Sequence, residues 1–220
     1  PAVVDILYPL NGEHKQGNFT IYGQASAEME INSLKLFIDG KQTQETLLTD
    51  CGFFKFDMDP TNITEGVHSY RVDTVLKNGI QVPSREQTIT YTAEGPWITI
   101  DNFTYGDFAT GRPYIKGQAG YSVSEDDRLF AKTKEATPEF KAAIAAKTVA
   151  KIELSFDNGK TFQLLSTNEK WMYRIENQDL PEGYHFFLVR ATMKNGETAI
   201  TRTIIQIDNS KPTIRLISPE

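Results

Sequence analysis

One cysteine, Cys51, stands in 220 residues, so no intramolecular disulfide can form. That argues against a small secreted domain framed by disulfides and leaves exported bacterial proteins open. No apolar run approaches the roughly 20 residues of a membrane-spanning helix, so no membrane insertion by this segment is expected. Clustered Lys and Arg are missing and the formal charge is −6. Nucleic acid, or an anionic membrane met through a polybasic patch, is therefore not an expected partner. Catalytic signatures are missing too. There is no Gly-x-Ser-x-Gly elbow, no phosphate loop and no His-Glu-x-x-His, and Cys51 has no evident histidine partner. The expectation is a chain that is not an enzyme.

What is present is repetition. Gly23-Gln24-Ala25 recurs as Gly117-Gln118-Ala119, Glu65-Gly66-Val67-His68 as Glu182-Gly183-Tyr184-His185, and Lys77-Asn78-Gly79 as Lys194-Asn195-Gly196. The opening stretch from Pro1 to Pro9 has a third echo in Pro212 to Pro219. Self-similarity at a period near a hundred residues means two copies of one folding unit and the start of a third, as in a segment of a longer tandem array.

Nearly every stretch reads as a short strand closed by a turn. Leu34–Ile38 ends at Asp39-Gly40, His68–Leu76 at Asn78-Gly79, and the second copy repeats the pattern with Ile152–Phe156, Phe186–Ala191 and Thr203–Ile207. About seven short strands per hundred residues predict an all-β protein, two tandem immunoglobulin-like β-sandwich domains. The boundaries expected are 1–94 for the first, 95–209 for the second, and 210–220 for the truncated third repeat. The second copy carries extra residues, 123–149. Within them Thr137-Pro138-Glu139 is a helix start, with Phe140, Ala143, Ile144 and Lys147 on one face. A helix of about three turns is predicted, its Phe140–Ile144 face on the sandwich, preceded by a charged loop through Glu125-Asp126-Asp127-Arg128.

These residues resemble the tandem bacterial immunoglobulin-like domains of large cell-surface and exported proteins. The likeness rests on the Pro212–Pro219 entry, the Gly-Gln-Ala strand end, the Phe-Ile-Asp-Gly hairpin, the Leu180–Ala191 run and the Asp208-Asn-Ser-Lys-Pro212 junction. It implies a location on the cell surface, secreted or periplasmic. It also implies a non-catalytic role as spacer or adhesive segment, with neighbouring repeats of the same chain as partners and host protein or glycan as further ones. The alternative is an accessory carbohydrate-binding pair of a secreted glycan-active enzyme.

The candidate ligand surface is an aromatic and charged group: Tyr105, Phe108, Tyr114, Tyr121, Asp126 and Arg128. Aromatic rings give a large rigid contact area, and the same rings could instead dock the helical insertion. Ser155, Asp157, Gly159, Thr161 and Phe162 match the Asp-box pattern, read as a stabilising hairpin with the aromatic packed beneath. His68 and His185, once per copy at a strand start, read as turn anchors rather than metal ligands. No cofactor is expected. Interdomain calcium is the one alternative, through Asp101, Asp208, Asn209 and nearby glutamates, although the dense Asp-x-Asn-Asp-Asn linker of cadherin-like modules is missing.

Overall fold

The computed structural model describes residues 1–50, 52–102, 107–109 (backbone alone), 114–176 and 180–208. The first strands are β1 (Ala2–Tyr8), β2 (Glu13–Gln16), β3 (Phe19–Ala27), β4 (Ile31–Ile38), β5 (Lys41–Thr46), β6 (Phe53–Met58), β7 (Gly66–Leu76), β8 (Gln81–Pro83) and β9 (Gln87–Thr92). They make a three-stranded sheet β1-β3-β6 facing a larger one ordered β2-β9-β7-β4-β5, with β8 beside β7. Ile21, Leu34, Leu36, Phe54, Phe56, Tyr70, Val72 and Ile89 fill the space between. Alternation puts these residues inward and their neighbours out.

The later strands repeat the plan. They are β10 (Gly95–Ile100), β11 (Asp107–Ala109), β12 (Tyr114–Ser122), β13 (Val149–Ser155), β14 (Gln163–Ser166), β15 (Lys170–Arg174), β16 (Gly183–Met193) and β17 (Thr198–Ile207). Sheet β10-β12-β15 faces sheet β11-β17-β16-β13-β14 over a core of Ile98, Ile152, Leu154, Trp171, Phe187, Val189 and Ile205. The first edge strand is split in both sets: β2 runs parallel to β9 and β11 parallel to β17. Among the described residues no strand of one set pairs with a strand of the other.

The repeated motifs have physical reasons. In Gly-Gln-Ala, Gly23 pairs with Phe54 and Gly117 with Trp171. A Cβ on Gly23 would lie 2.1 Å from the Phe54 ring, and one on Gly117 1.9 Å from the Thr99 carbonyl oxygen and 2.5 Å from the Trp171 ring. Glycine is what lets the neighbouring strand's aromatic ring fold across the sheet. In Glu-Gly-x-His, each imidazole reaches back four residues: His68 Nε2 is 2.7 Å from the Thr64 oxygen and His185 Nε2 2.6 Å from that of Pro181.

The turns divide. Asp39 (φ 50°) and Gly40 (φ 77°) both take positive φ, as a type I′ hairpin requires. The Asn78-Gly79 turn, expected to be of the same type, differs. Only Gly79 is left-handed, Gly79 N donates to Leu76 O and Leu76 N to Ile80 O, which is a type I turn followed by a glycine bulge. Asn78 stays at negative φ and uses its side chain to accept from Ile80 N.

Between β12 and β13 lie α1 (Glu125–Phe130), capped by Ser124, and α2 (Pro138–Ala145), capped by Thr137. The predicted charged loop 125–128 is therefore helical. Three acids in its first turn complement the positive helix end, and the Ser124 hydroxyl accepts from Asp127 N. The predicted helix is present but spans eight residues, because the chain leaves it at Ala146 to pair Thr148 O with Lys194 N. Phe140 packs edge-on against Phe130 of α1, with centroids 5.2 Å apart, and neither helix buries a residue. The insertion thus packs on itself, and the expected Phe140–Ile144 face contributes nothing to the core cluster beneath it.

Candidate functional site: the junction between the two sheet pairs

Only Ala93 and Glu94 separate β9 from β10. With so short a connection the end of the first sheet pair is pressed against the start of the second, and a distinct cluster seals the contact. Tyr8 and Tyr22, with ring centroids 6.1 Å apart, are buried there, and half-buried Leu7, Phe53 and Ile204 of β17 pack against them. Burial pushes the Tyr22 phenol far above its ordinary range, so it stays protonated.

A buried lysine completes the cluster. Lys15 on β2 is only 8% exposed. Its ammonium donates to the Tyr8 hydroxyl and to the Ile200 carbonyl (3.4 Å), with Glu13 Oε1 at 3.6 Å. The Tyr8 hydroxyl in turn donates to the same Ile200 carbonyl at 3.2 Å. The Arg202 guanidinium lies 5.7 Å from the Tyr8 ring centre. A desolvated ammonium costs several kcal/mol unless its protons are used. The Ile200 carbonyl, from the other sheet pair, supplies part of that compensation.

Beside this latch a cleft of about 220 Å³ is lined by Glu13, Lys15, Trp97, Ala199 and Ile200. Trp97, half-buried, forms its wall. A Cβ on Gly17 would lie 2.5 Å from Trp97 Cδ1, so the β2–β3 turn of the first pair closes directly on the indole of the second.

The candidate ligand residues are not gathered into one place. Tyr105 lies outside the described residues, and of Phe108 only the backbone is described, on β11. Tyr114 is 45% exposed at one end of β12. Tyr121, at the other end, packs on the second core with the Lys147 ammonium 5.0 Å above its ring. Burial, followed by the Glu197 carboxylate, pushes its phenol up to about 12. Asp126 and Arg128 sit on the exposed surface of α1. Among the described residues no group of three or more His, Cys, Asp or Glu could hold a metal ion, and no helix is long and apolar enough to cross a membrane.

The Asp-box residues form a tight hairpin. Asp157 accepts from the Thr161 hydroxyl (2.6 Å) and amide (2.9 Å), and Ser155 Oγ donates to it at 2.7 Å while accepting from Gly159 N. These bonds hold the Asp157 carboxyl far below the usual carboxylate range, the Thr161 hydroxyl first. The aromatic differs from expectation: Phe162 lies 3.7 Å beneath the Arg190 guanidinium, which also makes a forked contact to Glu153 Oε2.

Sequence reasoning missed Tyr8, Lys15 and Tyr22. The only signal was their presence in the first copy and not the second, where the same register places Asn102 and Lys116 at the two tyrosine positions.

Residues 3–72 match the family model of the bacterial Ig domain. No curated protein matches the chain. Among solved structures it is similar to the fibronectin(III)-like modules of Clostridium thermocellum CbhA (11% identity, 97% of this chain and 100% of that one, TM-score 0.35). It is also similar to the endo-β-1,4-mannanase of Thermotoga petrophila (14%, 43% and 20%, TM-score 0.35), of which it spans about a fifth. A third is a 1.5-MDa bacterial ice-binding adhesin (12%, 96% and 66%, TM-score 0.29). The matched residues cover nearly all of β1, then β2 to β6 and most of β7, and thus include Tyr8, Lys15 and Tyr22 of the latch.

Proposed function

We propose that the chain is a non-catalytic, rigid two-domain segment of a multi-domain bacterial protein, acting as a spacer or adhesive segment on the cell surface or in an exported compartment. The domains are 1–94 and 95–209, the second carrying the insertion 123–149, and neighbouring repeats of the same chain are its partners. The bacterial Ig match supports the setting. The observation that carries the mechanical reading is the latch, in which buried Lys15 and Tyr8 share the Ile200 carbonyl across a two-residue linker. A joint closed by buried hydrogen bonds holds one angle, whereas a wet polar joint bends.

Spin labels on exposed Lys41 and Lys194 test this through their distance distribution. One narrow peak in the parent chain, broadening in Tyr8→Ala, is the expected result. A broad distribution in the parent would overturn it.

A further inference from the structure

The outward face of the β10-β12-β15 sheet carries features that a spacer does not use. Tyr114, Lys116 and Gln118 are exposed on β12, and Lys170, Met172 and Arg174 on β15. Arg174 pairs with Tyr114, Met172 with Lys116 and Lys170 with Gln118. Lys116 is therefore one diagonal step, about 7–8 Å, from both Lys170 and Arg174. Among the described residues none of the three has an ion pair, and the Lys116 ammonium lies 6.0 Å from the centre of the Tyr114 ring. The cleft over these residues has Lys116 and Lys170 in its lining and Asp101 as its one carboxylate.

Two flat rings bracket the face. Trp97 pairs with Gly120, and Tyr114 lies six residues earlier on β12, about 20 Å away at strand rise. Two clefts of about 320 and 360 Å³ lie between them and share Asp101 and Gln118. One crosses to Asn18 and Thr20 and is acidic, with Asp57, Asp59 and Asp101 against Lys55, and the other runs over Gly117 to Met172 beside Lys116 and Lys170. Asp101 accepts from the Thr99 hydroxyl (2.8 Å) and the Gln118 amide (3.1 Å), which fixes both planar groups before any ligand arrives. Below Gly117, Trp171 is 4% exposed and its indole N–H has no acceptor among the described residues.

We propose that this face binds an acidic oligosaccharide, a carboxylated sugar chain laid along β12. Its carboxylates meet Lys116, Lys170 and Arg174, its hydroxyls meet Gln118 and Asp101, and a ring face stacks on Tyr114. A neutral sugar would leave three unpaired cations idle. A nucleic acid would demand a wider basic field than three cations on an acidic molecule. The site goes beyond the spacer reading, which rests on the latch and stands or falls with the spin-label distances.

Titration calorimetry of the intact chain tests it, with hexamers of galacturonic acid and of hyaluronan as acidic probes and cellohexaose as the neutral one. At least one acidic hexamer is expected to bind, ten times or more tighter than cellohexaose, and to weaken as salt rises. Which of the two binds identifies the source of the sugar. Tyr114→Ser and the double variant Lys116→Ser/Lys170→Ser should each weaken it at least about tenfold with unchanged melting temperature. Lys35→Ser/Lys41→Ser on the first domain should not. No binding of either acidic hexamer, equal affinity for cellohexaose, or indifference to the β12 and β15 substitutions would overturn the assignment.

Discussion

The two sheet pairs share strand order, a parallel edge strand and three motifs, yet present different surfaces at equivalent places. With Ile6–Gly23 and Ile100–Gly117 as matching register pairs, the first pair has Tyr22 where the second has Lys116. Likewise Phe53, opposite Gln24, corresponds to Lys170, opposite Gln118. In the first copy this outward face is apolar and buried against a neighbour. In the second it is cationic and open. What a repeat keeps is therefore its interior, and what it varies is the outward face of its three-stranded sheet. The histidines divide the same way: His68 Nδ1 meets Asp39 Oδ2 at 2.6 Å, while the matching hairpin aspartate, Asp157, is committed to Ser155 and Thr161.

The shared part should break hardest. Gly23→Ala and Gly117→Ala each force a methyl group into backbone oxygen and a buried ring. Each should cost upward of about 3 kcal/mol. Hydrogen exchange should show the loss confined to β1–β9 for one and β10–β17 for the other; a mild effect in either copy would end the claim of equivalence. Next comes the latch. Tyr8→Asn with Tyr22→Lys installs the second copy's residues at the first copy's positions, so folding of the sandwich is retained while the joint opens. About 2–3 kcal/mol of coupling should vanish, as a drop in melting temperature and a larger radius of gyration by X-ray scattering. An unchanged radius would contradict the docking role.

Smaller effects separate the outer ion pairs. Arg190→Ala strips Glu153, 9% exposed, of one of two cations and Phe162 of its guanidinium, and about 1–2 kcal/mol should be lost in urea unfolding. A cost equal to that of Lys151→Ala would show the Phe162 stacking to be inert. The smallest effect is the pH dependence of the His68–Asp39 pair in the first copy. Burial opposes charge on His68, but the Asp39 carboxylate and the Thr64 carbonyl more than offset it and raise the pKa. His68 lowers that of Asp39. The histidine part of the stability is complete below about pH 6.5 and fades as pH rises through the raised folded value; the aspartate part is complete above about pH 3.9 and fades on acidification. Asp39 is half-exposed, so under about 1 kcal/mol is at stake. Asp39→Asn should flatten that profile, and a profile identical to the parent's would remove the pair from the account.

Alternation and turn residues in Leu34–Ile38 and Phe186–Ala191 made the strands legible, because a half-buried sheet writes its period into the chain. The Asp39-Gly40 turn was legible for the same local reason. The helix in 125–130 was hidden by its charges, which read as a solvated loop until Ser124 is seen to cap it. The junction and the cationic face were not legible, since Lys15 meets Ile200 and Lys116 meets Lys170 only after strands distant in sequence are brought together. Absence of a basic run along the chain hid a basic patch assembled from β12 and β15.

The parallel pairing of β2 with β9, from Glu13–Ile89 to Gln16–Thr92, joins the early and last parts of the first sheet pair. Tension applied at the two ends of that pair therefore acts along these strands, and the evenly spaced bonds between them must slide apart together rather than open one at a time. The second sheet pair repeats the arrangement through Asp107–Ile205 to Ala109–Ile207. Under load, the yield point of each sheet pair, readable by single-molecule force extension, should be set by a few bonds at its edge and not by the size of its core.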